Sequence, residues 1–366
     1  MNDPMTMGEY ETDGMRGVRD WIETIRDDTQ PWGRWAYRTD ALRPYTLQSS
    51  VMVVELLASV GGLESWTSAQ RQEAIEYYRS CQDPESGLFK DPGDLEELHT
   101  GQHTWAQIWA QRTGSTLTAL ETLGAKPDRS TPEALFVDLH EIDGGDWTRQ
   151  HLDWTNPWQY GETWSRTLKA HADAEGVDDH RQLSASGRHA FEALEAEILD
   201  PQSGTPSRRQ KQPQPSVAMA GLFKVMQPYG KLSRRFPYLR EALDSTLALQ
   251  QDDGDWGDGD DMCLVWDAMW LVQFISHQLD HGYRFDDVRA AARRTADFLE
   301  NVHRKPDGAY SFHRERALEV HQSIRLSRES AAVSDVLGTW MALACLRYAD
   351  DLEAAAGSGG SVEVSR

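Results

Sequence analysis

Six times along the chain, a polar loop carrying Asp or Gln, then Gly, then an aromatic residue or its substitute, separates helical segments. The copies are DDTQPWGRW (Gly33), CQDPESGLF (Gly87), LHEIDGGDW (Gly145), ILDPQSGTP (Gly204), LQQDDGDWG (Gly254) and HRKPDGAYSF (Gly308). Successive glycines lie 54, 58, 59, 50 and 54 residues apart. A fixed period of about 55 residues marks a chain built from stacked units, and leaves room for two helices and two connections in each. The copy at Gly204 is the weakest, because it lacks the aromatic.

The segments between loops are of two kinds. One set runs over Ser50–Gly61, Thr113–Gly124, Glu162–Gly176, Ser216–Gly230, Met262–Gly282 and Ser334–Asp351, as in SVMVVELLASVGG, MCLVWDAMWLVQF and DVLGTWMALACL. These are apolar around most of their circumference, as a helix between two layers must be. The other set, such as RQEAIEYYRSC, RHAFEALEAEIL and VRAAARRTADFLENV, carries charge on one face, as an outer ring would. Glycines at segment ends and Ser or Asp at starts (Ser216, Asp261, Ser334) follow capping preferences. No stretch alternates long enough to demand a strand. The pattern predicts an all-α fold, an (α/α)6 toroid of six helical hairpins, with an open superhelix of hairpins as the alternative. Residues 1–352 are expected to form one domain and 353–366 a flexible tail. Pro201–Pro215, rich in Pro and Gln, is expected to be an irregular loop.

LALQQDDGDW (Leu247–Trp256) resembles the QW-type repeat of the terpenoid cyclase and prenyltransferase toroid superfamily, with Gln251, Gly254 and Trp256 in its places. Gln82, Gly87 and Phe89 match more loosely, and Gly308 and Tyr310 match without the glutamine. Asp258–Asp261, DGDD, resembles the DxDD acid of class II cyclases, which likewise enters an apolar inner helix. That resemblance implies Asp260 as a general acid toward an alkene or epoxide, with Asp258 and Asp261 holding its proton. Neighbouring carboxylates in a poorly solvated cleft cannot all ionise, so one stays protonated. Trp266 and Trp270, one turn apart, would then turn their π faces to a carbocation. The chain departs from the pattern in having a single barrel. The alternative reading of DGDD is solvated surface acid, with Asp261 as a helix cap.

Elsewhere, His99 and His103 stand four apart in ELHTGQHTW, but no third ligand accompanies them, so no metal site is read here. The functional expectation is that this loop projects His103 and Trp105 over the barrel mouth, where an imidazole serves as acid or base. Glu162 and Trp164 open the third inner helix, and Asp335 opens the last. In a closed ring, inner-helix starts gather at one end, so Asp260, Asp335, Glu162 and the His103 loop would converge. Most of the 14 tryptophans are expected in packing and the rest in a cleft that stacks on flat apolar faces, of sugars or of isoprenoid chains.

A net charge of -22 excludes nucleic acid and anionic membrane surfaces as partners. The longest apolar runs are too short to span a bilayer. An acidic N-terminus without an apolar h-region points to the cytoplasm, and acid-rich, lysine-poor composition to a high-salt one. Cys81, Cys263 and Cys345 are far apart and read as buried hydrophobes in a reducing compartment. DDGDWGDGDD is calcium-like in composition but not in spacing, so no cofactor is expected beyond an incidental divalent cation. Three functions remain open: a terpenoid-cyclase-like enzyme protonating an apolar small molecule, a carbohydrate-active (α/α)6 hydrolase or lyase acting on a glycan, and a non-catalytic binding scaffold. Oligomeric state is not legible.

Overall fold

The computed structural model describes residues 13–101, 103–131, 137–211, 214–258, 260–328 and 331–357. Helices alternate between two layers in chain order. The outer set is α1 (Asp13–Thr24), α3 (Ser68–Ser80), α5 (Gly144–Asp146), α7 (Ala185–Ala193), α9 (Leu239–Leu247) and α11 (Phe285–Phe298). The inner set is α2 (Leu47–Ser59), α4 (Trp105–Thr122), α6 (Pro157–Glu175), α8 (Pro215–Lys231), α10 (Met262–Gln278) and α12 (Val336–Gly357). A π turn prolongs α5 (Trp147–His151), α7 (Leu194–Ile198) and α11 (Leu299–His303). The regular strands among the described residues are one antiparallel pair, β1 (Val320–His321) and β2 (Ile324–Arg325). No helix of the described residues is long and apolar enough to cross a membrane.

The ring closes. Inner helix α2 packs on α4, α6 on α8, α8 on α10, α10 on α12, and α12 returns to α2. At that last contact Trp340 Nε1 donates to Glu55 Oε2 at 3.1 Å, and Val336 N to the Tyr37 carbonyl at 3.1 Å. The seam between α4 and α6 is the loosest, and the third outer helix beside it is cut down to α5 and its π turn. Apolar layers between the rings hold the rest. Trp164 of α6 meets Phe191 of α7 edge-on at 5.2 Å, and Phe191 meets Tyr229 of α8 at 4.9 Å.

The loop repeat has a physical basis. Isolated bridges join Arg26 to Trp35, Gln82 to Phe89, Gln250 to Trp256 and Arg304 to Tyr310, each pinching one loop shut. Gly87, Gly254 and Gly308 within them, and Gly204 in the fourth loop, all have positive φ, and each donates its N–H three or four residues back. Gly254 is the tightest: a Cβ there would sit 2.1 Å from the Arg294 carbonyl oxygen. Gln250, rather than the expected Gln251, is the counterpart of Gln82, since the bridges pair those two residues with their loops' aromatics. Gly145 is a second correction. It lies in α5 behind the N-cap Asp143, so that copy opens an outer helix instead of closing one. Pro201–Pro215 forms the fourth turn as far as it is described, tied by hydroxyls of Ser203, Thr205 and Ser207, and Pro215 begins α8.

Two boundaries also move. Helix α4 starts at Trp105, well ahead of Thr113, behind a capping box of Thr104 and Gln107. The expected tail from 353 is helical through Gly357, because Glu353 is gripped by Arg289 and Arg293 of α11, each at 2.8 Å. Residues 358–366 of that tail lie outside the described residues.

Candidate active site

Inner helices are buried on all sides but one. On α10, Cys263, Trp266, Trp270, Phe274 and His277 keep partial exposure, while Met262, Val265, Ala268, Met269, Leu271, Val272 and Ile275 are buried. Spacings of three and four make the exposed set a single stripe. The same holds for Lys224 and Gln227 on α8, for Glu162, Arg166 and Lys169 on α6, for Trp340 and Leu343 on α12, and for Glu55 on α2. These stripes touch one another from helix to helix, so they face the ring axis and line a central hollow.

The hollow has two chemically distinct sides. Phe223 meets Trp266 and Trp270 edge-on at 4.8 and 5.1 Å, Trp266 meets Trp340 at 5.1 Å, and Trp270 stacks on Phe274 at 4.6 Å. That wall, from α8 through α12, is aromatic. Beside it, between α6 and α8, Glu162 pairs with Arg166 and, at 3.3 Å, with Lys224, while Lys169 Nζ donates to Gln227 Oε1 at 2.7 Å. In a chain of net charge -22, a cluster of three cations around one carboxylate is a local reversal of sign.

Electrostatics differ among the carboxyls. Burial raises Glu162, but Lys224 and Arg166 outweigh it and pull its pKa to about 2, so it is a fixed anion. Burial pushes Glu55 up to about 7, against the opposing hydrogen bond from Trp340. Asp267 of α10 is 1% exposed, and neither of its oxygens has a protein hydrogen-bond partner. Burial pushes it up to about 8, with Lys224 acting against the shift. Burial thus shifts the ionisation of two carboxyl groups in the ring, Glu55 and Asp267, toward neutral pH.

The predicted residues are placed as follows. Trp266 and Trp270 are on the aromatic wall and Glu162 on the charged one. Asp260 is not in the hollow: its side chain is 54% exposed and its carboxylate bonds His313 Nδ1 at 2.7 Å. Asp258 accepts from Ser216 Oγ at 2.7 Å, bridging the starts of α8 and α10. Asp261 caps α10, accepting from Leu264 N at 3.3 Å, and its pKa is raised by burial. Asp258 and Asp260 line an open cleft of about 650 Å³ on the outer rim, with Asp253, Asp255, Arg314 and Glu315. Its acids are partly neutralised by Arg314, 2.8 Å from Asp253 and 2.9 Å from Asp255.

Trp164 is fully buried, with Nε1 donating to Thr148 Oγ1 at 3.2 Å, and it faces the outer layer. Asp335 is fully buried too. One oxygen accepts from Gly338 N and the other from Phe312 N and Leu318 N, so it caps α12 and anchors the loop before it. Both were expected to bind substrate; neither side chain is accessible. His103 bonds Ser323 Oγ at 2.9 Å, and Trp105 stacks between His99 at 4.7 Å and Trp109 at 5.9 Å. That aromatic pile stands at the mouth under the β1–β2 hairpin, where His99 bridges to Ile324. Segment 312–323 therefore does join the Asp260, Asp335 and His103 loops at one end, while Glu162 lies deeper.

Solved structures share this architecture. A type II terpene cyclase from Scytonema, in complex with geranylgeranyl dihydroxybenzoate as substrate, aligns over 93% of this chain and 97% of its own at 12% identity, with a TM-score of 0.50. The chain is an α/α toroid. An α-mannanase of family 76 from Bacteroides thetaiotaomicron aligns over 96% and 99% at 11% identity with a TM-score of 0.48. A family 88 glycosyl hydrolase from Bacteroides vulgatus aligns over 92% and 99% at 10% identity, with a TM-score of 0.44. No family model matches the chain, and no curated protein matches it in sequence. At such identities the likeness establishes the fold alone.

Glu55, Lys224 and Asp267 were not read from the sequence. Their signal was present: each is the lone Asp, Glu, Lys or Arg within a largely apolar inner segment, in SVMVVELLASV, GLFKVMQPYG and MCLVWDAMWL. A charge that interrupts such a run is costly unless a neighbour or a function uses it.

Proposed function

We propose that this toroid is an enzyme that initiates a carbocation reaction in its hollow, protonating an alkene or epoxide of an amphipathic, isoprenoid-like substrate. The observation that carries the reading is Glu55 on an inner helix, bonded to Trp340 at the head of a continuous wall of Trp340, Trp266, Phe223 and Trp270. A carboxyl whose pKa lies near working pH is the best compromise between holding and giving a proton. In the reaction envisaged, the Glu55 proton adds to one alkene carbon and leaves a cation on its neighbour. Indole faces stabilise that cation by about 0.5–2 kcal/mol each. Loss of a proton from an adjacent carbon restores the acid, so the sum is an isomerisation or cyclisation without redox change. The cationic wall of Arg166, Lys169 and Lys224 suits a polar or anionic head group. Asp267, kept uncharged, leaves Lys224 to its pair with Glu162.

This reading moves the proton donor from Asp260, whose exposed carboxylate lacks the burial that the chemistry needs. The test is incubation with linear isoprenoids bearing polar or anionic heads, followed by mass spectrometry and chromatography of the products. Wild type and Asp260→Asn should yield the same isomerised product, and Glu55→Gln should lose at least a hundredfold in rate. Full activity in Glu55→Gln would refute the assignment. A second reading, acid–base chemistry on a glycan, is favoured by the open rim cleft, where Asp258 and Asp260 stand together. Cleavage of oligosaccharides lost in Asp260→Asn but kept in Glu55→Gln would establish that reading instead.

A further inference from the structure

Away from the hollow, the far end of α6 carries a group of side chains that neither reading uses. His171 and Glu175 are one helical turn apart and share a face, and the turn before α5 brings His140 onto them. The His171 Nε2 to Glu175 Oε1 distance is 3.3 Å, His140 Nδ1 lies 3.9 Å from the same oxygen, and the two imidazole rings are 4.6 Å apart. One ligand atom from each residue falls within 4.8 Å of the other two. Ligands bound tetrahedrally at about 2.0–2.1 Å stand roughly 3.4 Å from one another, so closure needs about 1 Å of movement. His140, on a turn and 54% exposed, has the freedom to supply it.

We infer that His140, His171 and Glu175 form a binding site for a divalent transition metal of the Zn²⁺ class, with water at the fourth position. Two neutral imidazoles and one carboxylate are a donor set that borderline-soft cations prefer to hard Mg²⁺ or Ca²⁺. Outer groups are already in place. Ser184 N donates to Glu175 Oε2 at 3.1 Å, fixing the carboxylate, and the Ser184 hydroxyl bonds His171 Nε2 at 2.8 Å, the contact the metal would replace. Asp138, which also acts on His171, adds negative charge that suits a dication.

The position gives the site a purpose. The third hairpin has the shortest outer helix, and its seam with α4 is the loosest in the ring. A metal held here would clamp the turn entering α5, the end of α6 and the cap of α7 (Ser184) to one point. The site is separate from the residues that line the hollow. Sequence spacing hid it, because His140 is 31 residues from His171 and no short motif links them.

The test uses the full chain without a purification tag, stripped with chelator and titrated with Zn²⁺ alone or with Co²⁺ as a spectroscopic probe. One equivalent of Co²⁺ should bind with the visible absorption of a tetrahedral site, be displaced by Zn²⁺, and raise Tm by a few degrees. His140→Ala, at an exposed position where folding is not at stake, and Glu175→Gln should each weaken binding at least tenfold. No Tm response and no Co²⁺ absorption in the wild type would overturn the proposal. So would saturable binding left unchanged by His140→Ala, which would place the metal on another cluster such as His277 and His281.

Discussion

Asp267 makes the ring's stability depend on pH in a direction opposite to most carboxylates. An unfolded aspartate ionises near pH 3.8, whereas burial holds this one protonated to about 8. Between those values the unfolded chain releases the proton and the folded chain retains it, so rising pH favours unfolding. The contribution is fully present below pH 4 and gone above pH 8, falling by about 1.4 kcal/mol per pH unit inside the window. Between pH 5 and pH 7.5 that amounts to about 3 kcal/mol. Asp267→Asn keeps the shape and removes the titration, while Lys224 and Glu162 remain paired in both proteins. Urea unfolding of wild type and variant at several pH values isolates the effect as a difference of differences. The variant should gain about 3 kcal/mol on the wild type from pH 5 to pH 7.5 and be the more stable protein at the upper end. Parallel pH dependences would refute the reasoning, for they would mean that the folded carboxyl ionises as freely as the unfolded one. Difference infrared spectroscopy offers an independent check, because the protonated-carboxyl stretch at pH 7 should diminish in the variant.

Three further outcomes follow from the geometry. Gly254→Ala combines φ of +96° with a Cβ 2.1 Å from the Arg294 carbonyl, and should cost at least 3 kcal/mol in thermal or urea unfolding. Gly124→Ala, also at positive φ but with no atom within 4 Å, should cost only about 1 kcal/mol, and equal losses would contradict the contact argument. Asp335→Asn cannot satisfy all three backbone N–H donors that the carboxylate holds, and should lower stability by about 2–3 kcal/mol while leaving any activity of the hollow unchanged per folded molecule. A net charge of -22 should make Tm climb as KCl is raised toward 1 M, where screening is complete beyond about 3 Å; a flat or falling Tm would exclude self-repulsion as a significant load.

Much of the architecture was legible because it is repetitive. The glycine spacing and the all-round apolarity of segments such as SVMVVELLASV determine an alternation of outer and inner helices by local physics alone: turn chemistry at one end, burial on every side at the other. The third repeat misled because GlyGly before an acidic residue reads as a loop, yet Asp143 caps a helix there. The acidic motif was legible only in part. DGDD signals a helix start, and Asp261 does cap α10, but sequence does not say whether Asp260 beside it looks inward or out.

The chain by itself therefore determined which segments become helices, that they come in six pairs, and that tryptophan-rich faces would be hidden. Tertiary structure alone decided which face of each inner helix meets the axis, which of the carboxyls lose water, and which distant residues become neighbours. Helical periodicity is a property of a few adjacent residues. The protonation of Glu55 and Asp267, and the meeting of His140 with His171, depend on desolvation and closure contributed by helices far away in sequence.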